Sequence, residues 1–382
     1  MLVLVGGVMS ALASDGAGDG SLDAGIEDQI GLEFDCISAI LMDAETGTVF
    51  YEKNADAPLP PASVTKIMTL LLVMEAVDGG KIKLTDRVSA SAHAASMGGS
   101  QVYLKEGEEM SVEDLLKCVI IASANDAAVA LAEYVAGSEE AFVERMNERA
   151  RELGMDDSHF ENTNGLDDTA KNHVLSARDI AIMSRELIKH EKILEYSSIW
   201  MDTVRDGAFG LTNTNRLVRF YKDATGLKTG STAKAKFCIS ATAKRDGMHL
   251  ICVIMGAETR DSRNAIATKL LDYGFANYAL FAAKGESLPE MKVLGGVENT
   301  CAISFGDFAG TVKKGEESRV ERTLTVKESI AAPVKKGTVV GEVVYTLDGN
   351  ELGRVDIVTN ETVDKISYFG LLLRIIAGII MK

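Results

Sequence analysis

Pro60-Pro61-Ala62-Ser63-Val64-Thr65-Lys66-Ile67-Met68-Thr69-Leu70-Leu71-Leu72-Val73-Met74-Glu75-Ala76-Val77 is the stretch on which the reading of this chain turns. Pro58, Pro60 and Pro61 hold the backbone extended as it arrives, and Gly79-Gly80 closes the far end. Between them, Ser63 to Val77 is apolar on nearly every side, and a helix of that kind is buried. Lys66 is therefore out of place. Burial disfavours its charged form and lowers its pKa, and a neutral amine within reach of a hydroxyl can serve as a general base. Ser63 lies three residues earlier, so both side chains project from the same side of one turn. A helix start also offers free N–H groups where negative charge would develop on an attacked carbonyl.

Two further short motifs supply what this pair lacks: Ser123-Ala124-Asn125 and Lys228-Thr229-Gly230. Ser111-Val112-Glu113-Asp114 resembles a capping box opening a helix towards Ile121, and apolar spacing resumes from Ala127 to Val135, which sets the first motif on a loop between two helices. There, Ser123 can relay a proton to a leaving amine and the Asn125 amide can hold a substrate peptide bond. Lys228-Thr229-Gly230 is expected just ahead of a strand beginning near Phe237, giving a cation, a hydroxyl and an unobstructed backbone. Each motif alone would read as an ordinary cap or turn. Their contexts together suit a serine nucleophile served by a base and a proton relay.

Around the motifs, Cys36 to Met42 and Thr48 to Tyr51 read as a hairpin. Helices are expected from about Glu139 to Leu153, Ala177 to Ile188 and Ser262 to Tyr273, with a polar loop from Asn162 to His173. Phe237 to Ala243 and His249 to Met255 are apolar β-type runs joined by Arg245-Asp246-Gly247, so they pair antiparallel. From about Glu286 only short strand-like segments remain: Cys301 to Phe305, Arg319 to Val326, Gly337 to Tyr345 and Arg354 to Val358. The fold class is α+β: an antiparallel sheet flanked by helices over residues 34–285, then a small all-β domain over 286–363.

The ends carry targeting information. Leu2 to Leu12 is apolar or small and ends in Ala11-Leu12-Ala13, as in a secretory signal over residues 1–13, although the first basic residue is Lys53. A Gly/Asp/Ser-rich spacer covers 14–33. At the other end, residues 364–382 hold an apolar stretch, Tyr368 to Met381, too short to span a bilayer and expected at the membrane surface. Lys365, Arg374 and Lys382 fall on different faces of it, which weakens its amphipathic pattern.

Composition excludes other classes. With 46% hydrophobic residues in 382, the chain is neither disordered nor fibrous, and 56 acidic against 40 basic side chains, a net charge of -16, argue against nucleic acid. The five cysteines, Cys36, Cys118, Cys238, Cys252 and Cys301, sit apart and mostly in apolar runs, as small buried hydrophobes. No histidine spacing suits a catalytic metal, and no cofactor is implied.

Over roughly Phe34 to Val358 the chain resembles the low-molecular-mass penicillin-binding proteins of the D-alanyl-D-alanine carboxypeptidase family. The likeness extends through Pro61 to Thr69, Ile121 to Ala127, Ser176-Ala177-Arg178-Asp179 and Gly226 to Thr232. It implies a penicillin-binding/β-lactamase-like catalytic domain, an oxyanion hole made by the N–H groups of Ser63 and Ser231, and a substrate carboxylate held by Lys228 and Thr229. Arg263 lies where the family tends to carry an arginine near that carboxylate. The implied substrates are cell-wall stem peptides ending in D-Ala-D-Ala, with β-lactams as inhibitors, in an exported protein at the outer face of the cytoplasmic membrane. Three rivals stay open: a D,D-endopeptidase, a class A-like β-lactamase and a non-catalytic β-lactam-sensing wall-binding protein. The β-lactamase would need a Glu-x-x-Leu-Asn type loop, and none lies between Asn125 and Lys228.

Overall fold

Two clusters of alternating side chains on one sheet organise the catalytic region, as a computed structural model describing residues 34–167 and 170–380 makes plain. The expected signal at 1–13, the spacer at 14–33, Asp168 and Lys382 lie outside the described residues. Strands β1 (Ser38–Asp43) and β2 (Val49–Lys53) form the expected hairpin. Helices α1 (Lys66–Asp78), α2 (Val112–Ile121), α3 (Asn125–Ala136), α4 (Glu139–Glu152) and α5 (Ala177–Leu187) come after it. Strands β3 (Ala224–Thr232), β4 (Lys236–Arg245) and β5 (Met248–Ala257) are next, then helix α6 (Arg260–Asn277).

The five strands make one antiparallel sheet in the order β2-β1-β5-β4-β3. Because side chains alternate across a strand, Ile40, Met42, Ile251 and Val253 join the core built by α1 to α5, whereas Leu41, Leu250, Cys252 and Ile254 pack under α6 with Ile266 and Leu270. The α+β expectation of helices on both faces holds. Cys118, Cys238, Cys252 and Cys301 are buried, as their apolar settings suggested.

One expectation needs correcting. Lys228-Thr229-Gly230 lies within edge strand β3, paired to β4 through Lys228↔Ser240 and Gly230↔Cys238, not on a turn ahead of it. Gly226 and Gly230 lower the strand signal of Ala224 to Thr232, but an edge strand tolerates glycine where another backbone approaches closely.

Polar ties connect the sheet to the chain entering the nucleophile motif. Leu59 and Leu175 exchange backbone hydrogen bonds of 3.0 and 2.9 Å. The Arg178 guanidinium then donates to Asp56 and Glu52, each at 2.6 Å, which gives the Ser176-to-Asp179 stretch a structural purpose. Asp179 meanwhile accepts from Ser158 Oγ at 2.6 Å.

Strand pairing in the β-rich region reaches back beyond the expected start near Glu286. Strands β6 (Tyr278–Ala283), β7 (Ser287–Leu294), β8 (Thr300–Phe305), β9 (Phe308–Lys313), β10 (Val320–Val326), β11 (Ser329–Ala331), β12 (Val339–Leu347) and β13 (Asn350–Thr359) build it. Strand β6 pairs with β9, and the other six form a sheet in the order β10-β12-β13-β8-β7-β11. The helix expected to end near Tyr273 runs on to Asn277, and Tyr278 to Ala283, for which the sequence predicts no element, follows it as a strand.

The chain ends in helix α7 (Tyr368–Ile380). Its single charge does not spoil its outer face: Arg374 turns onto the β-rich region, donating to Asn299 Oδ1 at 2.7 Å, Gly296 O at 3.1 Å and Val297 O. Lys365 precedes the helix, bridged to Gly296. Among the described residues, no helix is long and apolar enough to cross a membrane.

Candidate active site

A single turn of 3-10 helix, Ala62–Thr65, delivers Ser63 into a cleft of about 710 Å³ and runs directly into α1. Ser63 therefore sits on a tighter turn than the continuous α-helix expected, yet its spacing from Lys66 survives, with Nζ 3.0 Å from Ser63 Oγ. The same Nζ lies 2.6 Å from Asn125 Oδ1 and 2.7 Å from the carbonyl oxygen of Asn164. Those two partners can only accept. A neutral amine has two N–H groups and one lone pair, so satisfying both acceptors leaves the lone pair facing the Ser63 hydroxyl, which then donates.

Electrostatics favour that form. Lys66 is fully buried, and burial holds its pKa well below the ordinary lysine value; the nearby Lys228 cation pushes the same way, against a weaker pull from Asp126. Lys228 itself is brought down to about 7, first by burial and then by Arg263. Its Nζ donates to Ser123 Oγ at 2.9 Å and to Thr229 O at 2.7 Å. Ser123 is held in the left-handed region, φ 63°, a conformation that non-glycine residues adopt at a cost and that is concentrated at functional sites.

The structure thus gathers two hydrogen-bonded groups, Ser63 with Lys66 and Asn125, and Ser123 with Lys228, while Ser63, Ser123, Thr229, Gly230, Ser231 and Arg263 line one cleft. Asn125 faces inward more than the sequence suggested. Its Oδ1 accepts a hydrogen bond from Lys66 and its Nδ2 donates to Gly98 O at 2.7 Å, leaving one N–H for a substrate carbonyl. Thr229 Oγ1 donates to Thr214 Oγ1 at 2.7 Å. Arg263 is buried and reaches Cys238 O at 3.3 Å and Asn264 Oδ1 at 2.8 Å.

Sequence reasoning passed over the loop that completes the Lys66 shell. Asn164 contributes only a carbonyl, which no side-chain pattern reveals. Beside it, Thr65 Oγ1 donates to Ala62 O at 2.8 Å, so the 2.8 Å contact with His173 Nε2 must run from the imidazole. His173 Nδ1 accepts from the Glu161 N–H at 3.0 Å, which agrees with that tautomer, and burial lowers its pKa to about 4, keeping it neutral. Asp126 was missed too: its carboxylate accepts from the N–H groups of Val102 and Leu104 and shapes the loop beyond Ser100.

Two glycines set how closely the walls approach. A Cβ on Gly165 would stand 1.8 Å from Ala62 O, and one on Gly230 would stand 2.8 Å from both Pro61 O and Ser63 N. Strand β3 can lie against the nucleophile turn only because Gly230 has no side chain. Gly230→Ala should slow covalent labelling of Ser63 by a penicillin roughly tenfold or more, because small misplacements of a reacting group are costly, while the thermal unfolding midpoint moves by only a few degrees. Stopped-flow labelling at the wild-type rate would contradict this geometry.

Comparison with known proteins agrees with the architecture. The D-alanyl-D-alanine carboxypeptidase family matches residues 26–259, and the C-terminal domain of penicillin-binding protein 5 matches residues 277–365. The D-alanyl-D-alanine carboxypeptidase DacF of Bacillus subtilis is 43% identical over 344 residues, which cover 88% of each chain. Penicillin-binding protein 5 from Haemophilus influenzae superposes with a TM-score of 0.77 at 32% identity, covering 87% of this chain and 99% of that one. Penicillin-binding protein D2 from Listeria monocytogenes, solved in its ampicillin-bound form, gives a TM-score of 0.59 at 33% identity, over 64% of this chain and 99% of its own. By sequence and by fold, then, this chain belongs to the D-alanyl-D-alanine carboxypeptidase family.

Proposed function

We propose that this protein removes the terminal D-alanine from cell-wall stem peptides through an acyl-enzyme on Ser63. The observation that carries the reading is the Lys66 amine, buried, with two acceptors fixed on it and its third position on Ser63 Oγ. Ser63 attacks the carbonyl between the last two D-alanines, and its proton passes to Lys66. The N–H groups of Ser63 and Ser231 face the oxygen that becomes negative. Lys228 and Thr229, with Arg263 behind them, hold the terminal carboxylate, and Asn125 uses its remaining N–H on the peptide. As the C–N bond breaks, Ser123 passes a proton to the departing amine, and water then opens the acyl-enzyme. A β-lactam imitates the dipeptide but keeps its leaving group tethered, so it stalls as the acyl-enzyme.

Mass spectrometry after incubation with benzylpenicillin, combined with hydrolysis of diacetyl-L-Lys-D-Ala-D-Ala, tests this. Wild type should gain one penicilloyl group on the peptide containing Ser63 and should release D-alanine. Ser63→Ala should lose both. Lys66→Arg should lose nearly as much, since a guanidinium stays protonated. Labelling that persists in Ser63→Ala would contradict the assignment, and rapid turnover of penicillin by wild type would replace it with the β-lactamase reading.

The reading extends to location: an exported protein lying at the outer face of the cytoplasmic membrane through α7. The helix has 13 residues, about 20 Å, against a hydrocarbon core of about 30 Å. Tyr368, Phe369, Leu373 and Ile379 are exposed while Arg374 ties the opposite side to the β-rich region. An apolar face held outward in this manner suits a lipid interface. Deleting residues 368–382 should release the protein from liposomes in a flotation assay and leave peptide turnover near wild type. Loss of folding on deletion would instead mark α7 as a structural element.

A further inference from the structure

The cleft is lined by four arginines and, among the described residues, by no carboxylate, although the chain as a whole carries a net charge of -16. Arg263 is the inner member. Arg216, Arg219 and Arg260 are exposed around it. The Arg216 and Arg260 side chains have no hydrogen bond or ion pair among the described residues, in contrast to Arg178, which binds two carboxylates. The Arg219 guanidinium lies over the Trp200 ring at 5.3 Å and the Phe220 ring at 5.5 Å, which steadies it and leaves its N–H edge unused. The cations also sense one another, since Arg260 and Arg216 both help burial hold Arg263 down at about 10.

Their place in the fold gives the cluster a direction. Thr214, bonded to Thr229, stands two residues before Arg216, and Arg260 stands one helical turn before Arg263 on α6. Both arms therefore start at residues flanking the proposed carboxylate site and bring exposed arginines to the cleft wall. A substrate whose leaving group is a lone D-alanine ends at Lys228 and Thr229 and puts no charge further out. Unpaired like charges repel, so a cluster of this kind is stabilised when an anion arrives.

We propose that Arg216, Arg219 and Arg260 form an anion subsite for a second carboxylate carried by the leaving group, beyond the one adjoining the scissile bond. This rests on the hydrolase reading and narrows it. The favoured substrates are those in which the departing amine belongs to a dicarboxylic amino acid or to a neighbouring stem peptide that bears further carboxylates. Cleavage forms the Ser63 ester, breaks the same C–N bond and releases a dianionic amine, with no additional reactant.

The test compares kcat/KM for diacetyl-L-Lys-D-Ala-D-Ala and diacetyl-L-Lys-D-Ala-D-Glu in wild type, in the Arg216→Gln/Arg219→Gln double variant and in Arg260→Gln. The double variant should lose at least tenfold more on the D-Glu peptide than on the D-Ala peptide, and Arg260→Gln should lose in the same sense. In wild type, raising the salt concentration should depress the D-Glu reaction more steeply, which needs no variant to read. Equal losses on both peptides, with equal salt dependence, would overturn the subsite while leaving the hydrolase reading intact. Wild type that cuts neither peptide would overturn both.

Discussion

The amine of Lys66 is the group on which the rest of the arrangement depends. It is fully buried at the start of an apolar helix, where an unpaired ammonium would be costly, and every direction open to it is already assigned. Asn125 arrives from the junction of α2 and α3, Asn164 from the loop before α5, and Ser63 from the turn that precedes α1. In the neutral form, two N–H groups serve the two carbonyl oxygens and the lone pair is left for the Ser63 hydroxyl, and burial favours that form. A second buried lysine, Lys228, reinforces that state by its charge and shares Ser123 with the same cleft. Neither lysine is present for stability. Each is a cost that the helices and the sheet edge carry so that the serine can react.

This explains why so much of the surrounding structure concerns approach distances. Gly165 lets the Asn164 loop press against the Ala62 carbonyl, and Gly230 lets β3 close on the backbone of Ser63. His173, fixed in one tautomer by Thr65 and Glu161, ties that loop to the residue next to Lys66. The basic rim of the cleft then acts on whatever the leaving group carries, outside the reacting centre.

The candidate site residues were legible in the sequence through the order and contexts of three motifs, none of which suffices alone. Lys66 breaks an apolar helix, Ser123-Ala124-Asn125 interrupts a helical period, and the hairpin and the antiparallel pair β4 and β5 obey plain alternation. What escaped reading was carried by backbone or by tertiary contact. The Asn164 carbonyl has no side-chain signature, and strand β3 is masked by glycines whose purpose is closeness to another backbone. Arg216 and Arg219 belong to no motif in the sequence, and only the fold sets them beside Arg263 on the cleft wall. In the tail, Arg374 counted against an amphipathic pattern because its carbonyl partners are tertiary contacts.

The central claim is that burial holds the Lys66 amine well below the ordinary lysine range, so that its neutral form can take the Ser63 proton. Heteronuclear NMR of lysine labelled at Cε and Nζ, assigned by the spectrum of Lys66→Arg, reads this protonation state directly across a pH titration of the unliganded enzyme. The account predicts that Lys66 passes to amine-type shifts well before the exposed lysines, which keep ammonium shifts to about pH 10. An ammonium signal for Lys66 that persists to that alkaline range would contradict it.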